Sequence, residues 1–161
     1  LDEIKNINNK IKNYFFSDEE FLDVEIFNNK EVIHMKDVKE IINNVFLFGK
    51  ISCIAFVLLA SFIIYKYKIY PHSIFKYSTM IFVFLIFFFS ILTLISFNQI
   101  FIIFHEIAFR NDLWLLNINE DYLLMMYPES FFRDVAILLL ISSLFINFMM
   151  FYITNTLSKK L

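Results

Sequence analysis

Three long runs of apolar residues dominate the chain. They cover residues 45–65, 79–104 and 135–153, and the charged residue that interrupts them is Lys50, near the start of the first run. About 20 apolar residues in helical form cross the hydrocarbon core of a bilayer, and lipid offers no partner to an unpaired backbone group. The pattern therefore predicts an all-α membrane protein, a helical bundle with three spanning helices.

The composition agrees with this class. Of the 161 residues, 59% are apolar and 23 are Phe, whereas the chain has one Gly and two Pro. A soluble domain carries fewer apolar residues and more Gly and Pro. The formal net charge of −2 gives no reason to expect nucleic acid binding. The single cysteine, Cys53, excludes an internal disulfide, and we predict that it is a small buried residue.

The charges between the spans predict the orientation. The loop at 66–78 has three Lys and no acidic residue, and the tail at 154–161 has two Lys just before its last residue, whereas the stretch at 105–134 has two Arg and six acidic residues. Basic residues in short loops mark the cytoplasmic side. We therefore predict that the loop at 66–78, with a solvated His72, and the tail are cytoplasmic. The segment at 1–44 and the loop at 105–134 are then extracytoplasmic. An external segment at 1–44 needs a preceding spanning helix, so we expect four spans in the full protein.

The segment at 1–44 contains three local signals. Residues 17–20, Ser-Asp-Glu-Glu, have the capping-box pattern and predict the start of a short helix. Asn28 and Asn29 indicate a turn. From Glu31 onward apolar residues recur at three- and four-residue steps, which predicts an amphipathic helix that continues into the first span.

Two histidines are candidate catalytic residues. His34 precedes Asp37 by three positions, so on a helix the carboxylate can lie against the imidazole and orient it. His105 follows an uncharged span and is adjacent to Glu106. Ionisable groups at such a depth are costly and often functional. The alternatives are a surface His–Asp pair at His34 and an ordinary interfacial polar residue at His105.

The loop at 105–134 is rich in large apolar residues. We expect it to pack at the headgroup level, with Trp114 among its interfacial anchors, and an aromatic belt without a catalytic role is the alternative. Arg110 is expected to pair with a carboxylate or a lipid phosphate. The stretch His-Glu-Ile-Ala-Phe begins like a zinc-protease motif, but Phe109 stands where the second histidine would be needed. We expect neither a metal site nor a cofactor, and a non-contiguous site of both histidines with carboxylates is the minor alternative.

Three motifs occur in a fixed order around these candidates. They are His34-Met35-Lys36-Asp37-Val38; Phe104-His105 with Phe109, Asp112, Trp114-Leu115 and Asp121; and Pro128-Glu129 with Phe131-Phe132 and Asp134. In order, spacing and topology, from about residue 30 to 155, they resemble the bacterial lipoprotein intramolecular transacylase family.

This resemblance implies an enzyme in the cell membrane whose site is extracytoplasmic. It implies transfer of the sn-2 acyl chain of a diacylglyceryl lipoprotein to the α-amine of its N-terminal cysteine, which gives the lyso-form. The lipoprotein and membrane lipids are then the partners. The essential histidines of the family map onto His34 and His105, and Asp37 is the candidate orienter. The candidate substrate-binding residues are Arg110, Asp112, Trp114, Glu129 and Phe131.

Two other functions fit parts of the sequence. The first is a non-catalytic membrane subunit, or a module that binds a lipid or a partner through the outer loop. The second is a small transporter, which is disfavoured because the polar residues Asn98 and Gln99 lie near the outer end of the long span. The separation of His34 and His105 discriminates between enzyme and binding module, because acid–base catalysis requires the two rings at one site.

Overall fold

The structure, a computed structural model, describes residues 2–67 and 71–158, without the side chains of 71–76 and 157–158. Every element in these residues is an α-helix: α1 (Asp2–Phe15), α2 (Asn29–Tyr67), α3 (Pro71–Ala108), α4 (Tyr122–Met126) and α5 (Glu129–Ser158). The chain forms two compact units. One contains residues 1–49 and 101–129, and the other contains 50–100 and 130–161.

Three of the helices are long and apolar enough to cross a membrane, which confirms the predicted fold class. They are Asn29–Tyr67, Tyr77–Ala108 and Glu129–Thr156, and each contains one of the predicted spans. Their large apolar side chains are mostly exposed, as expected where the surrounding medium is lipid. The helices extend beyond the apolar runs, so that most of the stretch at 66–78 is helical. Residues 68–70 and the side chain of His72 lie outside the described residues.

Within the unit of residues 50–100 and 130–161, α3 and α5 share apolar contacts. Ser90 and Leu94 of α3 line a small cavity together with leucines and isoleucines of α5. The backbone of α3 leaves helical geometry at Ser96, where φ is −141° and ψ is 37°. Cys53 is exposed on α2, so the prediction of a buried cysteine was wrong. A spanning helix can present a thiol to lipid as readily as to other helices, because both environments are apolar.

The other unit begins with α1, a helix that the sequence analysis did not predict. Ile7, Ile11 and Tyr14 recur at three- and four-residue steps and form its buried face. That face packs into a core whose other buried members come from three segments of the same unit: Leu22, Val24, Phe27, Met35 and Leu123. The periodic apolar positions were the available signal, although they were diluted by the many Asn and Lys residues between them.

The capping-box pattern at 17–20 does not start a helix, so that prediction was wrong. Ser17 instead follows the end of α1, where its hydroxyl donates to the carbonyl of Tyr14 and accepts from the N–H of Glu19. The buried ammonium of Lys39, on α2, donates to the carbonyls of Ser17 and Glu19, both at 2.7 Å. The segment after α1 is therefore held by a cation that is distant in sequence. A local motif cannot reveal such a contact.

Candidate active site

Helix α2 begins with a reciprocal cap that the sequence analysis interpreted only as a turn. The side-chain oxygen of Asn28 accepts from the N–H of Glu31 at 3.0 Å, and the Glu31 carboxylate accepts from the N–H of Asn28 at 2.7 Å. This is a capping box, and the Asn-x-x-Glu spacing was its signal. The cap fixes the first turn of α2 and so sets the position of His34 in the next turn.

His34 is buried on this helix, with 7% of its surface exposed. Its Nδ1 has no hydrogen-bond partner among the described residues. The ring lies against Phe109, with 5.0 Å between centroids. A buried imidazole nitrogen without a partner is costly in a folded protein, and at a functional site it is a position at which a substrate atom or water can bind.

His105 lies in the last turns of α3 and is equally buried. Its Nδ1 is 2.6 Å from the carbonyl oxygen of Phe101, one turn earlier. Because a carbonyl oxygen only accepts, this contact assigns the proton to Nδ1 and leaves the lone pair on Nε2. The backbone of α3 therefore orients His105 and selects its tautomer.

The structure brings the two histidines together. Their ring centroids are 6.2 Å apart, with an angle of 32° between the planes. Phe109 lies 5.0 Å from the His34 ring and 5.4 Å from the His105 ring, and Trp114 lies 5.0 Å from the His105 ring. Two imidazoles in an aromatic enclosure are suited to proton transfer on a bound substrate.

Asp37 has a different partner from the one expected. Its Oδ2 accepts from the side-chain amide of Asn111 at 2.9 Å, and within the described residues it forms no hydrogen bond with His34. Asn111 follows Phe109 closely in the segment after α3. The carboxylate therefore links α2 to the segment that carries Phe109 and Trp114. The sequence analysis did not single out Asn111, because nothing local marks it as a partner of a residue on another helix.

The remaining candidate substrate-binding residues lie at different positions. Trp114 contacts a histidine, as described above. Arg110 and Asp112 are exposed and flank Asn111 in the chain. Glu129 is half-buried at the start of α5. Phe131 belongs to the other compact unit and lies 5.3 Å, ring to ring, from Phe132.

A buried polar network joins α2 to the end of the segment that follows α3, residues 109–123. Asp121 accepts from the Asn28 side-chain amide at 2.7 Å and from the backbone N–H of Asn117 at 2.6 Å. The N–H of Asn117 and the amide of Asn28 hold the pKa of Asp121 below its usual range, because both bonds favour the ionised form. Together with Glu31, which accepts from the N–H of Leu123 at 2.6 Å, this network fixes the return of the chain toward α5.

The arrangement offers acid–base chemistry rather than a ready metal centre. Among the side chains that the structure describes, those of residues 2–67 and 77–156, no group of three or more His, Cys, Asp or Glu is placed to hold a metal ion. Two imidazoles at this separation also repel each other when both carry a proton, which disfavours the doubly protonated pair.

Comparison with known proteins agrees with this geometry. No curated protein matches the chain. Among solved structures, the membrane integral lipoprotein intramolecular transacylase Lit from Bacillus cereus is similar, with a TM-score of 0.81 and 23% sequence identity. The alignment covers 99% of this chain and 74% of that one. This likeness establishes the fold, and with three apolar helices it identifies a multi-pass membrane protein.

The family comparison covers most of the chain. The model of the family described as lipoprotein intramolecular transacylase Lit matches residues 1–132, a range that includes both histidines and all but the last two residues of the loop at 105–134. The chain therefore belongs to the lipoprotein intramolecular transacylase Lit family.

Proposed function

We propose that this protein moves the sn-2 acyl chain of a diacylglyceryl lipoprotein to the α-amine of its N-terminal cysteine. The product is a lipoprotein with an N-acyl group and a monoacylglyceryl group. The observation that carries the proposal is the 6.2 Å separation of the His34 and His105 rings, which come from different helices of a protein in this family. A binding module needs no such pair, whereas an acyl transfer with two proton movements does.

The reaction forms one bond and breaks one. The α-amine attacks the ester carbonyl carbon, and a tetrahedral intermediate forms. Its collapse breaks the bond between that carbon and the glycerol oxygen and leaves an amide. One proton leaves the nitrogen and one joins the glycerol oxygen. An N-terminal amine has a pKa of about 8, so a useful fraction is neutral near pH 7 and attacks without a covalent enzyme intermediate.

The histidines supply the proton transfers. Because the Nδ1 of His105 faces the carbonyl of Phe101, its Nε2 is the free base that removes the proton from nitrogen. His34 then acts on the oxygen atoms. It gives a proton to the leaving glycerol oxygen, or it donates a hydrogen bond to the developing oxyanion. General acid–base catalysis of this kind contributes about 10²–10⁴-fold.

The aromatic rings and the segment that follows α3 serve to position the substrate. Donor and acceptor belong to one molecule, so the main task is to hold amine and ester together, and well-oriented groups reach effective molarities of about 10⁵–10⁸ M. The ring of Phe109 packs against His34, and that of Trp114 packs against His105. Arg110, Asp112 and Glu129 complete the proposed substrate-binding set in this unit, and the acyl chains extend toward lipid.

The decisive experiment measures the acyl pattern of a reporter lipoprotein. The protein is expressed in a bacterium that lacks this activity, and the N-terminal peptide of the reporter is analysed by tandem mass spectrometry, because substrate and product are isomers of equal mass and differ only in their fragments. Transfer gives a peptide with an amide-linked acyl chain and one remaining ester. If the reporter keeps its free amine and both esters while the protein is inserted in the membrane, the proposal fails and a non-catalytic lipid-binding role replaces it.

The proposal also places the site on the extracytoplasmic side. The support is the Lys-rich stretch at 66–78 against the acidic loop at 105–134. In a Cys53→Ser background, a membrane-impermeant maleimide applied to intact cells should label Glu19→Cys and spare Lys66→Cys. Both positions are exposed, so accessibility within the protein does not bias the comparison. The reverse labelling pattern would place the site in the cytoplasm.

A further inference from the structure

Glu31 has the most complete burial of any charged side chain that the structure describes. None of its surface is exposed. Oε2 accepts from the N–H of Asn28 at 2.7 Å, and Oε1 accepts from the N–H of Leu123 at 2.6 Å. A buried carboxylate is tolerated only when its oxygens are hydrogen-bonded, and here the partners are backbone donors from two distant parts of the chain.

Glu31 lies close in structure to His34 and contacts the segment that packs against His105. It lies one helical turn before His34, on the same face of α2. Leu123 ends the segment that begins at Phe109 and includes Trp114, the residues that pack on His105. Glu31 therefore joins the helix that carries one histidine to the segment that encloses the other.

The neighbouring contacts act along the same segment. Lys30 donates to the carbonyl of Leu115, which is adjacent to Trp114. Asn28 donates to Asp121. The donors Lys30 and Asn28 are partly or fully open to solvent, whereas the Glu31 carboxylate is buried and its bond with Leu123 is shielded from water. The Glu31 carboxylate is thus the most deeply buried of the groups that join α2 to the segment from Phe109 to Leu123.

We propose that Glu31 is a positioning residue for the transacylation, a role that rests on the proposed function. It does not touch the substrate. It holds the segment from Phe109 to Leu123 against α2, and this sets the separation of His34 and His105 and the contact of Trp114 with His105. The loss of one of its two bonds to the backbone loosens that segment and misaligns the histidines.

The first test separates positioning from binding by kinetics. Glu31→Gln keeps the size of the side chain but replaces one acceptor oxygen with an NH₂ group, which cannot accept from a backbone N–H. We expect kcat to fall about 10–100-fold with KM within twofold, because a misplacement near 1 Å costs about 10² in rate. Glu31→Asp keeps both oxygens on a shorter stem and should restore part of the loss. Glu40→Gln, on the exposed face of α2, is the matched control and should keep the wild-type rate.

The second test does not depend on catalysis. Trp114 is the single Trp of the chain and lies 5.0 Å from the His105 ring, so protonation of His105 should quench its fluorescence. The full protein in lipid nanodiscs is titrated with acid. His105→Gln should abolish the pH-dependent quenching and thereby identify its source. Glu31→Gln should lose at least half of it, and Glu40→Gln should keep it.

The two readouts together decide between the possible results. Loss of both kcat and quenching in Glu31→Gln supports the inference. A normal kcat, or a reduced kcat with unchanged quenching, overturns it. If Glu31→Gln does not fold, Glu31→Asp is judged by the same criteria. If the wild-type protein shows no transacylation but Glu31→Gln still loses the quenching, the proposed function is rejected while the structural link is supported.

Discussion

The ring of Phe109 stacks on that of His105, with 5.4 Å between centroids and 29° between planes. The same phenyl ring lies 5.0 Å from His34. Phe109 is buried, with 8% of its surface exposed. The three rings therefore form a compact triangle in which Phe109 packs against both imidazoles.

This packing predicts the effect of shortening Phe109. Phe109→Ala removes a buried ring, which costs about 3–5 kcal/mol in stability, and lets the two imidazoles collapse toward each other. We expect at least a tenfold loss of transacylation, measured by mass spectrometry of the reporter peptide. Ile107→Ala is the control, because Ile107 is 81% exposed and its truncation should change stability by about 0.5 kcal/mol or less. Wild-type activity in Phe109→Ala would show that the ring does not set the histidine spacing.

The histidines themselves give the most direct prediction. His34→Gln and His105→Gln, like the corresponding Ala variants, should each reduce the lyso-form product by about 10²–10⁴-fold while the protein still inserts. Membrane insertion is checked by quantitative immunoblotting of the membrane fraction. His72→Gln is the matched control, since the sequence predicts that His72 lies in the cytoplasmic loop. A normal yield of lyso-form product in either site variant contradicts the proposed acid–base roles.

Asp37 and Asn111 should act as a unit. Asp37→Asn keeps the size of the side chain but removes its charge, so we expect a lower rate without unfolding. Because Asp37 contacts Asn111 at 2.9 Å, the effects of Asp37→Asn and Asn111→Ala should not add in the double variant. The measurement is the transacylation rate of the four proteins in a double-mutant cycle. An unaltered rate in Asp37→Asn would mean that the pair is structural only, and full additivity would mean that the two residues act separately.

The lowered pKa of Asp121 predicts how stability depends on pH. A carboxyl whose pKa is lower in the folded protein stabilises it fully above its unfolded pKa, near 3.8. That contribution is lost as the pH falls through the lower folded value. Asp121→Asn should therefore lose less stability than the wild type between pH 7 and pH 2.5. A difference of ~1 kcal/mol corresponds to about 2–4 °C in Tm at this chain length.

Thermal unfolding in detergent measures this difference. Glu120→Gln, at the exposed neighbouring position, should follow the wild-type curve. If Asp121→Asn loses as many degrees as the wild type on acidification, the bonds from Asn117 and Asn28 do not stabilise the ionised form.

The sequence alone determined the class of protein and its candidate chemistry. Long apolar runs require helices in lipid, because every backbone group must find a partner within its own segment, and the structure confirms three helices able to span a membrane. The order of the His, Trp-Leu and Pro-Glu motifs indicated the family, which the family comparison confirms. These features are local or depend only on order along the chain, so they can be recognised without coordinates.

Tertiary structure decided which residues meet. Asn28 and Glu31 resembled a turn followed by a helix, but their partners Asp121 and Leu123 come from the far end of the segment that follows α3. Asp37 hydrogen-bonds to Asn111, and the pattern at 17–20 follows the end of α1, where Lys39 donates to the carbonyls of Ser17 and Glu19. Such hydrogen bonds join positions with no periodic relation in the chain. Their geometry is set by the packing of the helices and of the segment that follows α3. Spacing along the sequence does not encode this packing.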